Sequence, residues 1–178
     1  MLHCNIEVGV SLERRLQNTV SGTDGNVAPS MEPMDRSAMK CTVHWTPATG
    51  MGFIAETGSG HLLAMDGAPD GGGRDLAPRP METVLAGTGG CTAYDVVLIL
   101  KRGRHDVRGC EVRLDAERAG EDPKVFTRIR MHFVVTGRAL SATAVQRAIA
   151  LSHEKYCSAS IMLGKTAAIE TSFELVEV

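Results

Sequence analysis

Apolar residues follow no period over residues 1–38 and then fall into a succession of regular patterns. Cys41, Val43 and Trp45 alternate with polar neighbours, Pro47-Ala48-Thr49-Gly50 makes a turn, and Met51 to Ala55 answers as a second strand. His61 to Met65 forms a third strand after Gly58-Ser59-Gly60, and Ala68 to Pro78, with Gly71-Gly72-Gly73, reads as a loop. Pro80 suits the first turn of a helix, where its missing N–H is not needed, and the helix runs to about Arg102. Its latter half is apolar on every side, which predicts a helix sunk into the core.

Two clean strands follow. Cys110, Val112, Leu114 and Ala116 alternate with Glu111, Arg113, Asp115 and Glu117. After a turn at Glu121 to Lys124, Val125, Thr127, Ile129, Met131, Phe133 and Val135 alternate in the same way, so the pair reads as an antiparallel hairpin with one solvated face. Ser141 is the expected N-cap of a second helix with an inner stripe of Val145, Ala148, Ile149, Ser152 and Tyr156. A last strand carries Ile169, Thr171, Phe173 and Leu175 on one face. The order βββ-α-ββ-α-β predicts an α+β fold, antiparallel sheet with two long helices.

The unpatterned start is different in kind. Gln17 to Ser37 is rich in Ser, Thr, Asn, Gly, Pro and Met, and it cannot bury enough apolar surface to offset its ordering entropy. Residues 1–38 are therefore expected to be a disordered N-terminal extension and residues 39–178 the folded domain. At 178 residues with a net charge of −2, the chain suits one core and offers no basic block for nucleic acid. The longest apolar run, Val96 to Leu100, is too short to cross a bilayer, and no secretory signal opens the chain. Five cysteines, an odd number without an export signal, favour a reducing compartment, and the chain reads as cytoplasmic.

Two of those cysteines carry the candidate chemistry. Gly87-Thr88-Gly89-Gly90-Cys91 places a thiol after a glycine-rich helical turn, and Cys157 ends the later amphipathic helix. A thiol attacks as thiolate, whose formation is favoured near a helix N-terminus or a cation. Glycines that loosen the helix before Cys91 would direct backbone N–H groups at the sulfur, whereas Asp95, one turn later, would oppose its ionisation. His153 and Lys155 stand beside Cys157 to favour its thiolate. The plainer reading of both is a small buried hydrophobe. A rival chemical reading gives His153, Cys157 and Cys91 to one metal ion. Cys110 and Cys41 are expected on packed strand faces, and Cys4 in the N-terminal extension.

Arg79-Pro80-Met81-Glu82 to Gly89-Gly90-Cys91-Thr92, followed by His153 to Ser158, resembles the OsmC/Ohr family of thiol peroxidases from about Lys40 to Val178. The resemblance implies antiparallel sheets around two long central helices, in an intertwined homodimer with active sites at the subunit interface. It implies reduction of hydroperoxides, organic ones especially, with Cys91 as the peroxidatic thiol and Cys157 as the resolving one. The reductant would be an external dithiol or a lipoylated protein, with no metal, haem or flavin required. Where the family places a catalytic Glu after the proline this chain has Met81, and the carboxylate follows at Glu82. Cys41 to Asp66 contains no Arg for the thiol, leaving Arg79 or Arg74 as substitutes. A small-ligand-binding dimer with little peroxidase turnover is the alternative.

Overall fold

The computed structural model describes residues 39–178. The extension expected over 1–38, with Cys4, lies outside the described residues. The first three strands are β1 (Cys41–Thr46), β2 (Gly52–Thr57) and β3 (Leu62–Met65), joined as an antiparallel meander in the order β1-β2-β3. Register pairs Val43 with Ala55 and Trp45 with Phe53, then Phe53 with Met65 and Ala55 with Leu63. Because alternate side chains share a face, those six apolar residues lie on one side of the sheet. Among the described residues that side is open at its β1 edge, with Val43 54% and Trp45 57% exposed, while Ala55 is buried. Cys41, on the same side, is also exposed, against the expectation that it packs.

The glycine loop holds one short helical turn, Pro69–Gly71, and is anchored on Asp66, which is buried. The Asp66 carboxylate accepts backbone N–H bonds from Gly67 at 2.7 Å and from Arg74 and Leu76 at 3.0 Å each. Those bonds, the one from Leu76 foremost, hold the carboxyl below its usual pKa despite burial.

Helix α1 (Pro80–Arg102) runs unbroken through Gly87, Gly89 and Gly90. The loosening expected at the glycines does not occur, and Gly89 has another use. A Cβ on this buried residue would lie 2.6 Å from Leu114 Cδ1, so the missing side chain lets the helix approach the following strand. Length and composition make α1 apolar enough to cross a membrane, a correction to the expectation taken from its longest apolar run. Here it is the central packing element, meeting the strand that follows it and the two later helices.

The second sheet comprises β4 (Asp106–Arg118), β5 (Phe126–Arg138) and β6 (Ala168–Glu177). The hairpin register follows the sequence alternation: Val112 faces Phe133 and Leu114 faces Met131, while Asp115 faces Arg130 on the other side. Ile129, Met131, Phe133 and Val135 are buried against Val96 and Leu100 of α1 and Val145, Ala148 and Ile149 of the helix that follows the hairpin. On the solvated face Arg130 reaches Asp115 at 3.0 Å and Glu117 at 2.7 Å. These exposed pairs contribute little stability.

Two features differ from the expected plan. β6 runs parallel to β5, because the helices between them form a crossover that returns the chain to the same end of the sheet. The second helix is also not continuous. α2 (Ala142–Leu151), capped by Ser141, passes into a π turn over Ser152–Tyr156, and Cys157 then starts α3 (Ser158–Leu163). In the π turn Cys157 N–H bonds to Ser152 O at 2.8 Å, five residues back. The wider turn shifts the helical phase, so Ser152 stays buried, Tyr156 turns out to 50% exposure, and Cys157 points inward.

Candidate functional site

Cys91 stands midway along α1, partly buried, and Cys157 sits at the junction of the π turn and α3, fully buried. The contact between α1 and the segment after α2 brings the two thiols together with Asp95. Both sulfurs and a carboxylate oxygen lie within 4.8 Å of one another. A disulfide needs sulfurs about 2.05 Å apart, so closure requires the two sulfurs to approach further.

Hydrogen bonds fix this arrangement from both helices. Ser152 Oγ donates to Asp95 Oδ2 at 3.1 Å and shares a 2.9 Å hydrogen bond with Thr92 Oγ1, with Ser152 and Thr92 both buried. Cys157 serves as the N-cap of α3: its sulfur accepts from Ser160 N at 3.4 Å, and Ser160 Oγ donates to the Cys157 carbonyl at 3.1 Å. The N–H of Ala159 is directed at Cys91. Mid-helix, Cys91 has no free N–H groups of its own helix to stabilise a thiolate, so this donor comes from α3 instead.

Electrostatics oppose ionisation of Cys91. Burial is the largest influence raising its pKa, followed by the adjacent Cys157 thiol and the Asp95 charge, with only the Ala159 N–H pulling it down. Among the described residues, no cation acts on it. Burial alone pushes the Cys110 thiol up on β4. Cys110 packs partly buried at the edge of the core, as its strand position predicted.

Arg79 and Glu82 are not brought to the sulfurs within one chain. They form the N-terminal cap of α1, where Glu82 Oε2 accepts from Arg79 N at 2.9 Å. Nine residues of unbroken helix put Glu82 about 13 Å along the axis from Cys91 and on the opposite side. Arg79 and Glu82 line a cavity of about 450 Å³ with Asp66, Arg118 and Phe126. Arg74 contributes its backbone N–H to Asp66. His153, placed with the thiols by the metal reading, is not in the cluster. Its Nδ1 is buried without a hydrogen-bond partner among the described residues, and it borders a separate cavity with Thr171, Ser172 and Phe173. The Lys155 ammonium lies 5.5 Å above the Tyr156 ring. Ser152 and Thr92, which orient Asp95, went unassigned in the sequence reading because a polar residue in an apolar helical stripe gives no hint of its partner 60 residues away.

The OsmC-like protein family model matches residues 71–172, a span that contains both thiols and Asp95. Protein YhfA of Escherichia coli K12 is 50% identical over 138 residues, covering 78% of this chain and 98% of its own. Among solved structures, a hypothetical protein from Aquifex aeolicus is 25% identical with a TM-score of 0.68, covering 79% of this chain and 98% of that one. The organic hydroperoxide resistance protein OsmC of Legionella pneumophila shares the fold at 17% identity and a TM-score of 0.60, covering 77% of this chain and 96% of that one. By the family match and the extent of its likeness to YhfA, this chain belongs to the OsmC-like family.

Proposed function

We propose that the protein is a thiol-dependent peroxidase that reduces hydroperoxides, organic ones preferentially, through Cys91 and Cys157. The observation that carries this reading is the placement of the two sulfurs within 4.8 Å of each other, one partly accessible and one buried. The Cys91 thiolate attacks the outer oxygen of the peroxide, the O–O bond breaks, and the alkoxide takes a proton and leaves as an alcohol. Cys91 is left as a sulfenic acid. The Cys157 sulfur then displaces hydroxide, which leaves as water, and a disulfide forms. An external dithiol, small or carried as a lipoyl group on a protein, reduces that disulfide by exchange. No step draws on a cofactor held by the protein. The name of the Legionella structural relative agrees with such a substrate class.

The working form in this reading is a cytoplasmic homodimer. Support comes from the open apolar face of the first sheet and from Tyr94, 69% exposed on α1, which a second copy would cover. Free cysteines on the described residues suit a reducing compartment.

A second reading is a dimer that binds a small apolar or thiol-bearing ligand with little turnover. The raised pKa of Cys91, with no cation beside it, favours this reading. One experiment separates the two: reduced protein receives one equivalent of cumene hydroperoxide and its free thiols are counted. Peroxidase chemistry removes two thiols per chain and is abolished in Cys91→Ser, while Cys157→Ser stops at a sulfenic acid. Undiminished peroxide consumption by Cys91→Ser would refute the mechanism.

A further inference from the structure

We infer that Cys91, Cys157 and Asp95 form a binding site for a zinc-class divalent cation, which caps the reduced thiols. Two sulfurs and one carboxylate oxygen are the donor set favoured by a borderline-soft ion, and three protein ligands leave a fourth position for water. With metal–sulfur bonds near 2.3 Å and metal–oxygen bonds near 2.1 Å, tetrahedral ligands stand about 3.5–3.8 Å apart. The three atoms already lie within 4.8 Å of each other, so binding needs only a small contraction.

The surroundings fit the same role. Ser152 Oγ donates to Asp95 and leaves its other oxygen for the ion, and Thr92 braces Ser152 in turn. The Ser160 N–H is aimed at the Cys157 sulfur and the Ala159 N–H at the Cys91 sulfur, the kind of outer donors that steady bound thiolates. Without a cation, an ionised cluster would hold three adjacent negative groups with no basic side chain among them. A divalent ion supplies the missing charge, and each thiol releases one proton as it binds.

The consequence for regulation rests on the peroxidase reading, whereas the binding itself does not. Coordination occupies the sulfur electron pairs that would attack a peroxide, so the metal-loaded protein is held reduced and inactive. Formation of the disulfide removes both sulfur ligands and expels the ion. Metal occupancy and oxidation thus exclude each other.

Reduced full-length protein, freed of metal under anaerobic conditions, is titrated with Co²⁺ and then with Zn²⁺ against a competing chelator. The expected result is one ion per chain, with Co²⁺ absorption showing thiolate charge transfer and a tetrahedral ligand field. The charge-transfer band should be lost in Cys91→Ser and in protein oxidised to the disulfide. Asp95→Asn, with circular dichroism confirming its fold, should weaken Zn²⁺ binding at least about tenfold. A spectrum without thiolate bands, or affinity unchanged in both variants, overturns the proposal. Peroxide consumption is assayed separately with and without Zn²⁺. Binding without turnover refutes the peroxidase reading alone, and turnover without binding refutes the metal site alone.

Discussion

The Ser152 hydroxyl lies 3.1 Å from the Asp95 carboxylate and 2.9 Å from the Thr92 hydroxyl, joining the π turn before Cys157 to the helical turn after Cys91. It is the polar tie between the two thiol-bearing segments. Ser152→Ala deletes both bonds in a buried site and leaves Thr92 without this partner. The expected loss is about 1–3 kcal/mol of unfolding free energy. Urea denaturation should show a lower midpoint at unchanged slope, and peroxide-driven disulfide formation should slow because the side-chain tie between the π turn and α1 is lost. Stability equal to wild type would show that the bond contributes nothing.

Asp95 bears on Cys91 directly. Its negative charge disfavours the thiolate, so the Cys91 pKa is raised above the ordinary thiol range by burial first and by Asp95 in part. For an acid, a raised pKa means that the reactive anion grows in only as pH climbs. The wild-type rate of alkylation at Cys91 is therefore expected to rise steadily through neutral and mildly alkaline pH without reaching a plateau. Asp95→Asn removes the charge while keeping the shape, moves the profile toward lower pH, and speeds alkylation at neutral pH several-fold. Following iodoacetamide incorporation at Cys91 by mass spectrometry checks both. A profile displaced upward would contradict the assigned sign.

The cap of α1 offers a separate test of what Glu82 does. Its carboxylate accepts the Arg79 N–H at 2.9 Å. Glu82→Ala loses that bond and the favourable carboxylate at the helix start, a cost of about 1 kcal/mol. The alkylation profile of Cys91 should stay unchanged, because the two residues are more than two turns apart on opposite sides of one helix. A fall in Cys91 reactivity without loss of stability would assign Glu82 to the thiol across subunits instead.

Much of this arrangement is legible in the sequence wherever local physics decides it. β4 and β5 announce themselves because one face is solvated, so the polar and apolar positions alternate residue by residue. The start of α1 is readable from Pro80. Pairing between distant segments leaves no such mark. The parallel run of β6 against β5 depends on the whole crossover, and no local pattern distinguishes it from an antiparallel strand. The π turn has no Pro or Gly to signal it, and one extra residue in that turn was enough to carry Tyr156 out of the inner stripe where the helical period placed it. Cys41 follows the period of a packed face, yet among the described residues nothing covers it and it is exposed. The resemblance supplied the pairing of Cys91 with Cys157, which spacing alone left open.

Gly90 extends the same point from folding to association. A Cβ at this position, or at Gly87, would meet nothing within 4 Å, so no contact among the described residues requires either glycine. Each costs the helix about 1 kcal/mol relative to alanine. Gly90 lines an open groove of about 510 Å³ with Tyr94, Leu98, Lys101 and Cys110. In the proposed dimer, close approach of a second copy along this groove would give the missing side chain a purpose. Gly90→Leu should leave each chain folded, with helix content at least that of wild type, while weakening self-association at least tenfold. Sedimentation equilibrium measures the effect directly. A variant that associates as tightly as wild type would remove this face of α1 from the dimer interface and leave the first sheet as its remaining candidate.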